Sequence, residues 1–261
     1  MAGMPKPNFE RDGVSLYHGD CMDVLRKMPD SSVDLIATDP PYGVDYQSAW
    51  RTDAARRHKR IANDKQPFVW WLKDAARILR DGGGMLCFCR WDVSHAFRSA
   101  IEWSGLKIRA EVIWDRMAHG MGDPASCPGP QHDTAWYATK GRRVWHDTRP
   151  KSVVRAMRVS GTKLTHPNEK PLELMSQLIG DYAAPDDVVL DCFAGSGATL
   201  EACQRLGRNA IGIEMDDKYF TQARERVSRT ADTLFAGVKH AQKENQSTTQ
   251  TQEETHQAEA V

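Results

Sequence analysis

Val33-Asp34-Leu35-Ile36-Ala37-Thr38-Asp39-Pro40-Pro41-Tyr42 is an apolar run that halts on two prolines. Val33 to Thr38 predicts a buried parallel strand. Neither proline offers a backbone N–H to a ladder, so the strand must end there. A carboxylate, a backbone carbonyl and an aromatic ring are thereby fixed at a strand's carboxyl end, the rim where open α/β sheets bind ligands. Asp39 and the Pro40 carbonyl can each accept one hydrogen of an amino group, and Tyr42 can stack on a planar ring. A planar base carrying an exocyclic amino group suits that set of contacts. Asp-Pro-Pro is also an ordinary turn after a strand, so this reading requires a cofactor site elsewhere in the chain.

Such a site is legible from Val188 to Thr199. Val-Val-Leu-Asp-Cys-Phe-Ala-Gly-Ser-Gly-Ala-Thr reads as strand, glycine turn and helix, with glycines that let the backbone approach a ligand. A second strand, Ala210 to Ile213, ends in Glu214, placed for the two hydroxyls of a ribose. Leu200 occupies the third glycine position of a dinucleotide fingerprint, and no Gly-Lys-Ser/Thr of a phosphate loop follows. An adenosyl ligand without a pyrophosphate fits better than either.

Around these two stretches the 261 residues suit a large α/β domain. Val14 to His18 reads as a strand, Asp23 to Lys27 as a helix, and a helix after Pro67 is expected to end at the glycines 82–84 and feed the strand Met85 to Cys89. Trp70 and Trp71 are expected in the core or between helix and sheet. A helix over Val93 to Trp103 and strands over Lys107 to Trp114 and Thr134 to Thr139 follow, with a loop between the strands. Further helices are predicted after Pro171, over Thr199 to Leu206 and over Lys218 to Val227. The chain lacks a membrane-length apolar run and a leader, which reads as cytoplasmic. The six cysteines form no C-x-x-C pair, and no metal site is expected. Formal net charge is zero, yet Lys140 to Lys163 holds eight Lys or Arg against Asp147 alone, and Arg51 to Arg60 forms a second basic cluster. Patches of this density suit phosphates, although a solvated charged face has the same composition.

Together these residues resemble the exocyclic-amino DNA methyltransferases of the circularly permuted beta type, known from bacteria and phages. The matching pieces are Gly19-Asp20-Cys21, Asp39-Pro40-Pro41-Tyr42, His166-Pro167-Asn168-Glu169-Lys170-Pro171, and Asp191 to Gly197 with Glu214. They come in that family's order over roughly residues 14 to 227. Cys192 departs from the pattern, which commonly has proline there. The resemblance implies an α/β fold, a doubly wound, mostly parallel Rossmann-like sheet with an inserted target-recognition region. It implies a methyltransferase domain over 12–230. Within and after it, 43–65 lacks apolar periodicity and reads as a mobile loop, the irregular basic stretch 115–163 is the candidate target-recognition region, and the polar composition of 231–261 reads as a disordered tail. The resemblance also implies S-adenosyl-L-methionine as cofactor and double-stranded DNA as partner, and admits a homodimer and a cognate restriction nuclease.

By the same resemblance, Asp39, Pro40, Pro41 and Tyr42 are catalytic, and Asp191, Phe193, Ala194, Gly195, Ser196 and Gly197 wrap the cofactor. Glu214 takes its ribose, Asp20 and Cys21 lie along its adenine, and His166 and Lys170 lie near its carboxylate. Aspartate at the first motif position favours adenine as the target, with cytosine as the alternative. Ring-carbon methylation would need a nucleophilic Pro-Cys, and the sequence has none. A dinucleotide oxidoreductase would use Gly195, Gly197 and Glu214 but leave Asp39 to Tyr42 without a role. A non-catalytic nucleic-acid binder would need only the basic clusters, and RNA stands as an alternative substrate.

Overall fold

In the computed structural model, residues 5–43, 66–120, 125–159 and 169–233 are described. A hairpin of β1 (Phe9–Arg11) and β2 (Val14–His18) turns at Asp12-Gly13, both at positive φ. Asp20 then caps α1 (Cys21–Lys27) by accepting from the Met22 N–H at 2.8 Å. Strand β3 (Val33–Thr38) ends at the Asp-Pro-Pro stretch, as its sequence predicts. Helix α2 (Leu72–Ile78) runs directly into β4 (Leu79–Cys89), followed by α3 (Ser94–Trp103), β5 (Lys107–Asp115), β6 (His132–Thr139) and β7 (Val153–Arg155). The last part comprises α4 (Leu172–Tyr182), β8 (Val188–Asp191), α5 (Ala198–Arg205), β9 (Asn209–Glu214) and α6, a helix over residues 217–233.

Among the described residues the strands form one sheet in the order β1-β2-β9-β8-β3-β4-β6-β5-β7. Strands β2, β9, β8, β3 and β4 are mutually parallel, while β1 and β6 run against their neighbours. Alternation along the strands sorts their side chains to two faces. Leu35, Ala37, Leu86 and Phe88 face α4, α5 and α6, whereas Ile36, Met85, Cys87 and Cys89 face α1, α2 and α3. Strands buried on both faces explain the apolar runs Leu35-Ile36-Ala37 of β3 and Val188-Val189-Leu190 of β8. The connections leave β3 toward β4 on one side and β8 toward β9 on the other, so the order reverses between β3 and β8. In open α/β sheets the ligand crevice lies at the carboxyl ends of the strands at such a reversal.

Several local expectations are corrected. The helix ahead of β4 stops at Ile78, because Leu79 is already extended (φ −67°, ψ 129°), and the glycines lie inside β4. Two steps along β3, from Val33 to Leu35, oppose five along β4, from Leu79 to Gly84. The extra residues bulge around Gly82, whose φ of 76° suits glycine. Trp71, which shares the helical spacing of Leu72, Ala75 and Ile78, is fully buried, but Trp70, off that spacing, is 65% exposed. Strands β1 and β7, three residues each, were too short to show a period, and α6 extends beyond Val227 on a half-buried face. His166, the tail beyond 233 and all of the 43–65 loop except Gly43 lie outside the described residues.

The basic excess from Lys140 onward is in part internal. Lys140 Nζ donates to the carbonyls of Ala76 (2.9 Å), Arg77 (3.2 Å) and Leu79 (2.7 Å), closing the end of α2. Arg143 donates to the carbonyls of Asp34, Gly82 and Tyr182, tying the amino end of the sheet to α4. Lys140→Met is expected to lower stability by about 1–3 kcal/mol, read as a lower urea midpoint at unchanged m-value. A shift within error would show these bonds to be dispensable.

Candidate active site

The sequence-predicted residues meet on adjacent strand ends. Asp20 and Cys21 follow β2, Glu214 ends β9, Asp191 to Gly197 follow β8, and Asp39 to Tyr42 follow β3. Gly19 N donates to Glu214 O at 3.0 Å, and Ala194 N donates to Ile213 O at 2.9 Å. These bonds knit the first three of those ends into one wall.

Asp191 fixes the crevice from below. Its buried carboxylate accepts from Thr38 Oγ1 at 2.7 Å, Thr199 Oγ1 at 2.6 Å and Phe193 N at 3.1 Å. Burial raises its pKa, and those donors offset only part of the rise. The group thus joins β3, β8 and α5, and its oxygens face protein donors. Beyond it, Gly195 N donates to Glu214 Oε2 at 2.8 Å, and Gly197 adopts φ 84°. A Cβ on Gly197 would stand 3.0 Å from Ala223 Cα, so α6 packs where any side chain would intrude.

Sequence reading missed Arg226 on α6, which holds this turn from outside. Its Nη1 donates to Ser196 O (3.1 Å) and Oγ (3.2 Å), its Nη2 to Glu169, and its Nε lies 3.0 Å from Glu201 Oε2. Nothing near Arg226 in the chain marks it; only the crossing of α6 over α5 brings it there. Phe193 packs edge-on against Phe68 (6.0 Å) and Trp71 (5.5 Å), which line the crevice from α2 and the stretch before it.

At the β3 end, Phe68 N donates to Pro41 O at 3.1 Å and pins the prolines. The Tyr42 hydroxyl donates to Asp39 Oδ1, and Lys170 Nζ lies 2.5 Å from Asp39 Oδ2. Burial first, then the charge of Asp39, pushes the Tyr42 phenol well above its ordinary value, so it stays a neutral donor. Its ring meets Phe97 edge-on at 6.3 Å, while the Lys170 ammonium lies 4.9 Å from the Phe88 ring centroid. Lys170 therefore stands on Asp39.

Residues 33–225 match a family model described as DNA methylase. The chain belongs to the DNA methylase family. It is a DNA methyltransferase, similar at 31% identity to YubD of Escherichia coli (strain K12) over 84% of this chain and 92% of that one. It is 26% identical to the type II methyltransferase M2.MboI of Moraxella bovis, over 88% and 93% of the two chains. Among solved structures, the M1.HpyAVI–SAM complex superposes with a TM-score of 0.65 at 26% identity, covering 82% of this chain and 98% of that one. The PvuII DNA methyltransferase (cytosine-N4-specific) gives 0.68 at 18% identity, over 89% and 96%, a likeness of fold.

Thiolate chemistry does not suit the buried cysteines at these strand ends. Burial pushes the thiols of Cys21 and Cys89 up to about 12, and those of Cys87 and Cys192 well above the ordinary range. Among the described residues no cluster of His, Cys, Asp and Glu could hold a metal, and no helix is long and apolar enough to cross a membrane.

The Asp191 junction yields a test. Thr199→Val keeps the side-chain volume and removes one donor from a buried carboxylate. It is expected to cost about 1–3 kcal/mol, measured by chemical unfolding, whereas Thr199→Ser should restore most of that loss. Equal stability of the Val and wild-type proteins would show that the hydroxyl holds nothing together.

Proposed function

We propose that this methylase transfers a methyl group from S-adenosylmethionine to the exocyclic amino nitrogen of adenine, at a specific sequence in double-stranded DNA. The observation that carries the reading is the pairing across the β3/β8 switch point. Asp39 and the Pro40 carbonyl stand on one side, and the Gly195–Glu214 pocket on the other. The cofactor fits the residues present. Glu214 Oε2 and Oε1 each accept one backbone N–H, from Gly195 and Asp216, both at 2.8 Å. A carboxylate offers about four lone-pair sites, so acceptors remain for two ribose hydroxyls. The turn at Gly195 to Gly197 lets backbone approach the rest of the molecule, and Phe193 supplies an apolar wall.

When bound, the cofactor supplies a methyl group activated on a sulfonium. The protein's task is then to hold a nitrogen in line with it and to stabilise the positive charge that grows there. The amino nitrogen of a base is a poor nucleophile because its lone pair is spread into the ring. Asp39 and the Pro40 carbonyl accept its two hydrogens and drive electron density back onto it. Lys170 holds Asp39 Oδ2 until the base enters, and the amino group takes its place. A base stacked in a duplex cannot reach this rim and must be flipped out, with Tyr42 as its stacking partner. Adenine is favoured by the family resemblance, in which aspartate at the first motif position goes mostly with adenine; both bases carry an exocyclic amino group, and the fold shared with a cytosine-N4 enzyme keeps cytosine as the second reading. Residues 115–163, with Lys151, Arg155 and Arg158 exposed, are proposed to read the sequence and hold phosphates.

Asp39→Ala is expected to abolish methyl transfer and leave cofactor affinity near the wild-type value. Nucleosides from digested, methylated DNA, separated by mass spectrometry, should show N6-methyladenine; N4-methylcytosine alone would overturn the choice of base. The Glu214 carboxyl sits at about 7, above its ordinary 4.5, because burial disfavours its charge. Ribose hydroxyls donate to the ionised form, so cofactor affinity should rise as pH climbs through about 7 and level off above it. Glu214→Gln should weaken binding by about 1–3 kcal/mol at high pH and flatten the pH dependence. Calorimetric affinities that do not change between pH 6 and pH 8 in the wild type would refute the ribose assignment.

A further inference from the structure

A second cavity, of about 420 Å³, lies away from the crevice, between the start of β5, the end of β6, the end of α4 and the segment 142–152. Asp39 is three strands away and about three residues further along the strand direction, on the order of 15 Å. Arg109, Arg142, Arg143 and Arg149 line this cavity, and no acidic residue does. Two of the arginines are anchored. Arg109 donates to Thr139 Oγ1 and Gly141 O, both at 2.8 Å, and Arg143 lies 5.9 Å from the Trp145 ring centroid while bonding to three carbonyls. Arg142 and Arg149 are exposed and have no ion pair among the described residues.

The rest of the wall is aromatic. Trp145 is half-buried, 5.6 Å from Tyr137 at a 30° tilt and 5.5 Å from Tyr182 at 80°. Tyr137 is buried, and its hydroxyl has no hydrogen-bond partner, nor has Arg143 Nε. Buried donors without partners are uncommon and call for a ligand or water. The volume falls within the range of small-molecule sites. Guanidinium groups beside an indole face are the combination that recognises a phosphate ester attached to a planar ring.

We propose that this cavity is a second binding site of the methylase, taking a nucleotide unit with its phosphate on Arg142 and Arg149 and its base against Trp145. The same chemistry has two sources, a free mononucleotide or a nucleotide of a DNA strand held outside the crevice; only the second rests on DNA being the substrate. The test is calorimetry on the full chain with S-adenosylhomocysteine at saturation, so that the first crevice is filled. Adenosine 5′-monophosphate should bind, inorganic phosphate at least about tenfold more weakly, and Arg142→Ala/Arg149→Ala should weaken the mononucleotide by at least about tenfold without moving the thermal midpoint. If the mononucleotide gives no heat, a short duplex decides. Loss of at least about tenfold in duplex affinity by the double variant, with a salt dependence shallower by about two counterions, assigns the site to DNA. Mononucleotide binding that survives the double substitution, or no effect in either arm, overturns the proposal. A wild-type protein that methylates nothing would count against the transfer reaction and leave the mononucleotide result standing.

Discussion

The buried carboxylate of Asp191 is the constraint on which the site depends. Its contacts to Thr38, Thr199 and the Phe193 N–H tie the ends of two parallel strands and the first turn of a helix to one point. An ionised carboxylate costs several kcal/mol to bury without partners, and here each partner belongs to a different element. The junction therefore tolerates little displacement of any of them. The prolines end β3 and the glycines bend the turn after β8, and the Asp191 junction holds those two strand ends side by side.

A second constraint acts at Asp39. Both of its oxygens already have donors, one neutral and one cationic. An unpaired carboxylate on an apolar rim would be drawn out toward water. The Lys170 ammonium opposes that tendency, and the Phe88 ring behind it offers a favourable face when the carboxylate turns to another partner. Pairing of a residue from the chain's first strands with one 131 positions later is itself a product of the fold.

Much of this was legible in the chain, for identifiable reasons. The β3 and β8 runs are buried on both faces, so they read as continuous apolar stretches, and two prolines or a glycine turn mark where each stops. Asp39, Gly195 and Glu214 could be placed because each sits at such a punctuation. What escaped was everything set by contact between distant segments. Lys170 was expected beside a cofactor carboxylate by virtue of its motif, and the structure places it on Asp39. Arg226 has no local signature at all. Charge counting puts Lys140 and Arg143 in a nucleic-acid patch, yet Lys140 and both terminal nitrogens of Arg143 donate to backbone carbonyls, because a count of charges contains no information about which carbonyls lie near. The triple glycine was read as a helix stop, when the left-handed φ at Gly82 instead accommodates a bulge within a strand.

The strand order has a consequence for how the protein comes into being. Strands β2 and β3 are made early, yet β9 and β8, the last made, lie between them, and Val14 pairs with Ala210. Until the ribosome has delivered the chain to about residue 214, the first hairpin has no place in the sheet, and β3 presents an open edge. Pairings this distant carry a large loop-closure cost and form late. A nascent polypeptide that already holds the Asp-Pro-Pro-Tyr stretch is thus without the wall built by the ends of β9 and β8, and without Arg226 of α6 against it, for most of its synthesis. Its exposed edge in that interval is a natural target for chaperones. The crevice is complete only once these closing strands are in place.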